Sequence, residues 1–262
     1  MRWDPEHYLR YGAERARPFR DLLARVGADD PQWVVDLGCG PGNLTAELAQ
    51  RWPGAMVTGV DSSPDMVAAA QEHAIDARLE FVLADVRSWA SERAVDVAVA
   101  NALLQWVPGH LELLGRLVDA LSPRGWLAIQ VPANFASPSH TAIAEVRAQP
   151  RWRERLGQEA AREPAVATPE DYLERLAGLG CDVDAWETTY LHVLQGRDAV
   201  LEWVRGTALR PVLSVLDAQE AAEFEADLAP RLRTAYPQRA YGTVLPFRRL
   251  FAVARRRADG TG

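Results

Sequence analysis

Between Trp33 and Pro132 the chain carries five apolar runs of strand length, set apart by stretches of helical or turn character. The runs are WVVDLGC from Trp33, MVTGVDSS from Met56, LEFVLADV from Leu79, AVDVAVAN from Ala94 and WLAIQVP from Trp126. Helical spacing fills 42–52, closed by Pro53 and Gly54, and 63–74, where Ser63 is placed to cap and Pro64 occupies the first turn. An amphipathic stretch over 110–125 predicts a further helix ending at Pro123 to Gly125. Strands apolar on both faces need cover on both faces, so this order predicts an α/β domain, doubly wound around a mostly parallel sheet.

The flanks extend that plan. Phe19, Leu22, Leu23 and Val26 share a helical face and predict a helix over 16–26. After Pro132 the texture becomes helical, polar and proline-bearing. Two long late runs, CDVDAWETTYLHVL over 181–194 and FRRLFAVARR over 247–256, read as strands. The expected organisation is an N-terminal lid segment and helix over 1–30 and a Rossmann-like core over 31–139. A helical cap follows in two parts, 140–180 and 196–245, with core strands at 181–195 and 246–257.

Composition narrows the partners. A net charge of -7 argues against nucleic acid, which needs a basic footprint. All 29 basic residues are arginine, so every cationic anchor is a guanidinium, always charged and suited to gripping carboxylates. Two distant cysteines, Cys39 and Cys181, make neither a disulfide framework nor metal spacing, and no metal is expected. The first 26 residues lack the apolar core of a signal peptide, and no run is long enough to span a membrane. A cytoplasmic protein is expected, as a monomer or weak homo-oligomer.

The chemistry centres on VVDLGCGPGN, Val34 to Asn43. The turn falls at the end of the first strand, where open α/β sheets bind ligands. Gly38, Gly40 and Gly42 allow close approach of a ligand to the backbone. A dinucleotide turn has a glycine where Asn43 stands, and Asp36 would repel a pyrophosphate. Asp36 would instead attract an ammonium, so the turn suits a ligand with ammonium and carboxylate together, such as a methionine tail. Asp61, followed by Ser62, ends the second strand where a carboxylate can accept ribose hydroxyls. Asp85 after the third strand could accept from an adenine amino group, with Val86 packed on the ring.

VVDLGCGPGN, TGVDSSPDM and FVLADVRSW together resemble the motifs of class I methyltransferases, over residues 31–131. The resemblance implies S-adenosyl-L-methionine as cofactor, S-adenosyl-L-homocysteine as product, and a Rossmann-like seven-stranded sheet with one reversed strand. RWDPEHYLRYGAERARPFRDLL, ANALLQWVP, QVPANF, WETTYLHVL, EWVRGTALRP, AYP and FRRLFAVARR resemble the trans-aconitate methyltransferases over nearly the whole chain. That likeness implies esterification of one carboxylate of a small anionic polycarboxylate. Ala133 departs from it, since an acidic or polar residue is expected there. The alternatives are a phenol or amine acceptor with the same cofactor, or a non-catalytic binding protein that keeps the pocket.

A carboxylate is ionised at pH 7, so no catalytic base is expected and catalysis reduces to aim. Asn101 and Trp106 after the fourth strand face the cofactor and acceptor space. Arg210 and Arg248 are the expected carboxylate clamps, with Tyr190 and Gln130 as donors and Trp106 and Trp203 as walls. His192, two residues from Tyr190, reads as structural, and ordinary core packing is the plainer account of both tryptophans. Tyr8, with Trp3, His7 and Tyr11, is expected to form a lid.

Overall fold

The computed structural model describes residues 12–74, 77–156 and 166–258. Tyr8 and the rest of the expected lid lie outside them. Helix α1 (Gly12–Leu23) precedes strand β1 (Trp33–Leu37) and α2 (Asn43–Arg51). Then come β2 (Met56–Asp61), α3 (Pro64–Ala70), β3 (Leu79–Leu83), β4 (Val95–Asn101), α4 (His110–Asp119) and β5 (Leu121–Pro132). The helices α5 (Pro138–Arg147), α6 (Pro150–Leu156) and α7 (Pro169–Gly178) lead to β6 (Cys181–Leu194). The chain closes with α8 (Ala199–Arg205), α9 (Arg210–Leu213), α10 (Ala218–Ala235), β7 (Gln238–Arg239) and β8 (Gly242–Arg256).

One sheet takes seven strands in the order β3-β2-β1-β4-β5-β8-β6, and β7 adds to β8 as an eighth. Strands β1 to β5 pair in parallel, and β8 runs antiparallel to β5, which is the reversed strand expected from the sequence. Chain order reverses between β1 and β4, so the carboxyl ends of these two strands form the switch point of the sheet. The central strands are buried on both faces: Val34, Val35 and Leu37 in β1, and Val97, Ala98, Val99 and Ala100 in β4. Ser63 accepts from the Met66 amide at the start of α3, and Pro64 occupies its first turn, as the sequence predicts.

Element ends differ from expectation in places, β5 beginning at Leu121 and β8 at Gly242. The amphipathic helix stops at Asp119, because Leu121 already pairs with Val95 of β4 and Pro123 cannot continue a helix. The two-residue β7 carries no periodicity to read.

The chain divides into two compact units, with the divisions falling inside β6 and β8. The sheet unit comprises 12–132, 166–188 and 249–258, and the other comprises 133–156 and 189–248. The expected cap segment 140–180 is therefore shared between them. Its α7 belongs to the sheet unit, where Tyr172 is buried with its hydroxyl 2.8 Å from His110 Nε2 on α4. In the other unit α10 begins with a capping box between Asp217 and Glu220, and its Phe224 packs edge-on against Trp152 of α6. Among the described residues, no helix is long and apolar enough to cross a membrane.

Gly59 on β2 leaves room for the Phe81 ring of β3. A Cβ at Gly59 would lie 2.5 Å from Phe81 Cδ1 and 3.1 Å from Cys39 Cβ. Gly59→Ala is expected to cost about 1–3 kcal/mol by overpacking, read as a lower urea midpoint. An unchanged midpoint would show that the ring yields freely.

Candidate active site

The site grows from the turn after β1. Its amide donors are all committed internally. Gly38 and Cys39 both donate to the Val60 carbonyl, at 2.7 and 3.1 Å. Gly40 donates to Asp61 Oδ2 at 3.0 Å and Gly42 to the Cys39 carbonyl at 3.2 Å, while Pro41 has no N–H. Within 38–42 no amide is left to give, and the first turn of α2, which has no side-chain cap, stands behind a buried carboxylate that would repel a pyrophosphate. What it offers instead is carboxylate and carbonyl oxygen.

The three glycines divide their work. A Cβ on Gly38 would meet Leu103 Cδ1 at 2.8 Å, and one on Gly42 would meet Ala70 and Phe81 at 2.8 Å. These two make room for the protein itself. Only Gly40, with φ of +56°, borders open space and can bring backbone against a ligand.

Asp36 lies in β1, 3% exposed, and accepts from the Thr45 hydroxyl of α2 at 2.7 Å. Burial pushes its carboxyl up to about 7, the Thr45 bond holds it down in part, and the negative charge of Asp61 adds to the rise. A cation set beside it would restore the ionised form. Asp61 uses its second oxygen to accept from the Ser63 amide at 2.9 Å. Each of its oxygens thus spends one lone pair on the fold and keeps another for a ligand hydroxyl. Ser62 beside it is exposed.

The third acid behaves differently. Asp85 is gripped by the Arg87 guanidinium through both oxygens and also accepts from the Arg87 amide at 2.8 Å. Those bonds hold its carboxyl down at about 2. An adenine amino group would therefore have to share Asp85 with Arg87. Val86 is buried, as a residue walling a ring would be.

At the tip of β4, Ala102 adopts φ of 55°, a conformation unusual for a residue with a side chain. Gln105 stabilises it by donating to the Ala102 carbonyl at 2.5 Å, and the Ala102 amide donates to the Gln130 carbonyl at 2.8 Å. This positions Asn101 opposite Gln130 in register. Trp106, on a short 3-10 turn over Leu104–Trp106, is 61% exposed rather than packed in the core.

The candidates on the second unit are placed less favourably. Tyr190 and Trp203 are buried in an aromatic cluster with His192 and Phe247, where His192 stacks on Trp203 at 4.9 Å. Both are packed among rings of their own unit. Arg210 is half-buried at the start of α9. Arg248 is exposed, and its amide donates to Asn134 Oδ1 at 2.6 Å. Its neighbour Arg249, in the sheet unit, is the buried one, 6% exposed with Nη1 3.3 Å from Gln130 Oε1. Arg249 escaped the sequence reading because alternation does not decide: it shares a phase with Phe247 and Phe251, while Arg248 shares one with Leu250.

Comparison with known proteins agrees with this geometry. A family model described as a methyltransferase domain matches residues 34–125, which span β1 to the start of β5. The phosphoethanolamine N-methyltransferase 2 of Haemonchus contortus, solved with S-adenosyl-L-methionine, shares the fold at 19% identity and a TM-score of 0.55. That match covers 92% of this chain and 52% of the other. The matched residues place a methyltransferase domain over the strands and turn that build the site. A trans-aconitate 2-methyltransferase of Streptomyces avermitilis is 52% identical over 98% of this chain and 97% of its own. One from Mycobacterium tuberculosis is 48% identical over 96% of each. The chain belongs to the trans-aconitate 2-methyltransferase family.

The Asp36 carboxyl titrates far above an ordinary aspartate, which sets a sign for pH. The folded chain holds this proton where the unfolded chain has lost it, so Asp36 weakens folding as pH rises from about 4 to about 7. In the ligand-free protein, stability relative to Asp36→Asn is expected to fall across that window and level off above it. Urea unfolding of both proteins at stepped pH checks this, and parallel curves would refute it.

Proposed function

We propose that this chain transfers a methyl group from S-adenosyl-L-methionine to one carboxylate of trans-aconitate or a close polycarboxylate, releasing S-adenosyl-L-homocysteine. The observation that carries the reading is the reach of the kinship. The methyltransferase-domain model stops at residue 125, whereas the trans-aconitate 2-methyltransferases match 98% of the chain, the second unit included. The likeness therefore reaches well beyond the part of the chain that any methyltransferase domain would share.

The residues fit that cofactor. The carboxylates of Asp36 and Asp61 disfavour phosphate and offer acceptors for an ammonium and for ribose hydroxyls. When bound, the sulfonium supplies an electrophilic methyl group to an oxygen nucleophile. The chain has little acid-base work to do, because the acceptor carboxylate is already an anion at neutral pH. Its task is to exclude water and hold the oxygen in line, since attack of an anion on a cation removes charge and gains from a dry site. Gly40 supplies backbone that a ligand can approach, and Asp61 fixes that backbone through the Gly40 amide.

Incubation with labelled cofactor and a panel of acids is expected to give methyl ester on trans-aconitate. Labelling only of a phenol or amine would overturn the reading. Asp61→Ala removes acceptors from both turn and ligand, and is expected to raise the cofactor Kd by roughly 10- to 100-fold in calorimetry. Below about pH 7 the free protein must release the Asp36 proton before an ammonium can bind. The cofactor Kd is therefore expected to rise as pH drops from about 7, by up to about tenfold per unit, and to be flat above. With both substrates saturating, kcat should show no base-limited fall between pH 7 and 6. A steep fall there would reveal a catalytic base that the chain is not expected to use.

A further inference from the structure

Register brings a row of polar side chains to one face of the sheet. Asp36 of β1 sits opposite Gly59 of β2 and Val99 of β4, so Asp61 and Asn101, two residues further on, share its face. Asn101 is opposite Gln130 of β5, and Gln130 is opposite Phe251 of β8. Arg249, two residues from Phe251, completes the row. All of these belong to the sheet unit.

Within that row two neighbouring amides, Asn101 through Oδ1 and Gln130 through Nε2, each bury a polar atom that has no hydrogen-bond partner, and Gln130 is the more deeply buried. Its side chain has no solvent exposure, its Oε1 accepts from Arg249 at 3.3 Å, and its Nε2 has no hydrogen-bond partner. A buried amide N–H left unsatisfied costs about as much as a hydrogen bond is worth, and structures rarely tolerate it without a reason. Beside it lies a guanidinium that is 6% exposed, and arginine cannot shed its charge to lighten the burial. A donor amide and a permanent cation, adjacent and desolvated, make a receptor for an anion with planar oxygens. Phe251, stacked at 4.8 Å on Trp186, supports the pair from the same face with a rigid apolar wall.

We infer that Gln130 and Arg249 together bind a carboxylate of the acceptor, Arg249 by charge and Gln130 through Nε2. The assignment rests on the proposed polycarboxylate activity and names the part of the site that reads the acid. It moves the clamp from the exposed Arg248 to its buried neighbour. Gln130 and Arg249 are specificity-determining residues for the substrate, with no role in proton transfer.

The test exploits their contact. Gln130→Glu places a carboxylate where the ligand's would lie, pairing with Arg249 and closing the receptor while leaving the buried charge compensated. The variant is expected to fold, to bind S-adenosyl-L-homocysteine with wild-type Kd, and to raise KM for trans-aconitate at least ~10-fold. Its preference for trans-aconitate over an acid with one carboxylate fewer should shrink toward parity. Arg249→Met, close in length and apolar, should raise KM in the same way. If Gln130→Glu binds the homocysteine product normally and keeps wild-type KM and preference, the assignment fails and the proposed function stands. If the wild type itself methylates no polycarboxylate, the failure lies with the proposed function.

Discussion

Two hydrogen bonds to a single carbonyl organise the ligand end of this molecule. The Val60 oxygen at the end of β2 accepts from both Gly38 and Cys39, and Asp61, the next residue, accepts from Gly40. These contacts bend the chain after β1 back over β2 and commit three consecutive amides. The sign of the site follows from that bend. With its donors used, the turn presents oxygen, and the two aspartates that flank it are left to choose a cationic or hydroxyl-bearing ligand. The same glycine-rich spacing with free amides would cradle phosphate, so the difference between two cofactor classes lies in where a few N–H groups point.

The buried Asp36 shows what that choice costs. A carboxylate with 3% exposure loses most of its hydration, and a single hydroxyl from Thr45 returns only part of it. The outcome is a group near pH 7 in balance between its two forms. Such a residue weakens the empty protein and is relieved when a positive charge arrives. Destabilisation held at the turn is thereby linked to ligand recognition, a common relation at functional sites.

Much of this was legible in the chain, and the rest failed for identifiable reasons. The parallel strands, the switch point and the aspartates of the first two strand tips could be read because their signals are local: apolar runs, helix caps, glycines and acids at fixed offsets. Asp85 was legible as a strand-tip acid, yet its partner Arg87 stands only two residues on and was overlooked. The substrate side depended on long-range register. Choosing between Arg248 and Arg249 needs the pairing of β8 with β5, which no local pattern in FRRLFAVARR reveals, since both faces are apolar beyond Arg249. Tyr190 and Trp203 are hard to read for a related cause. Aromatic residues on a late strand and helix look alike whether they wall a ligand or fill a core, and their packing with His192 and Phe247 is a property of the fold. Gln130 could be singled out because it lies near the carboxyl end of the fifth strand, where position alone is informative.

Strand order then arranges charge across the sheet. Reading β2, β1, β4, β5, β8 along the shared face gives Asp61, Asp36, Asn101, Gln130 and Arg249. Acid gives way to neutral amide and then to guanidinium. At roughly 4.8 Å between neighbouring strands, the three steps from β1 to β8 span about 14 Å. On the proposed assignments a sulfonium nucleoside would be held at the acidic end of the row and the anion at the basic end, with the amides between them. Those amides carry no net charge, which suits a transition state in which opposite charges are cancelling. Fixed dipoles there cost no reorganisation during the reaction, whereas a charged side chain in the middle would hold one partner too tightly. The composition adds a last constraint. In a chain without lysine the basic end must be arginine, and a buried arginine keeps its charge across the whole range in which the carboxylate is ionised. The recognition of the acid is therefore insulated from pH, whereas Asp36, on the cofactor side, is held near neutrality by burial.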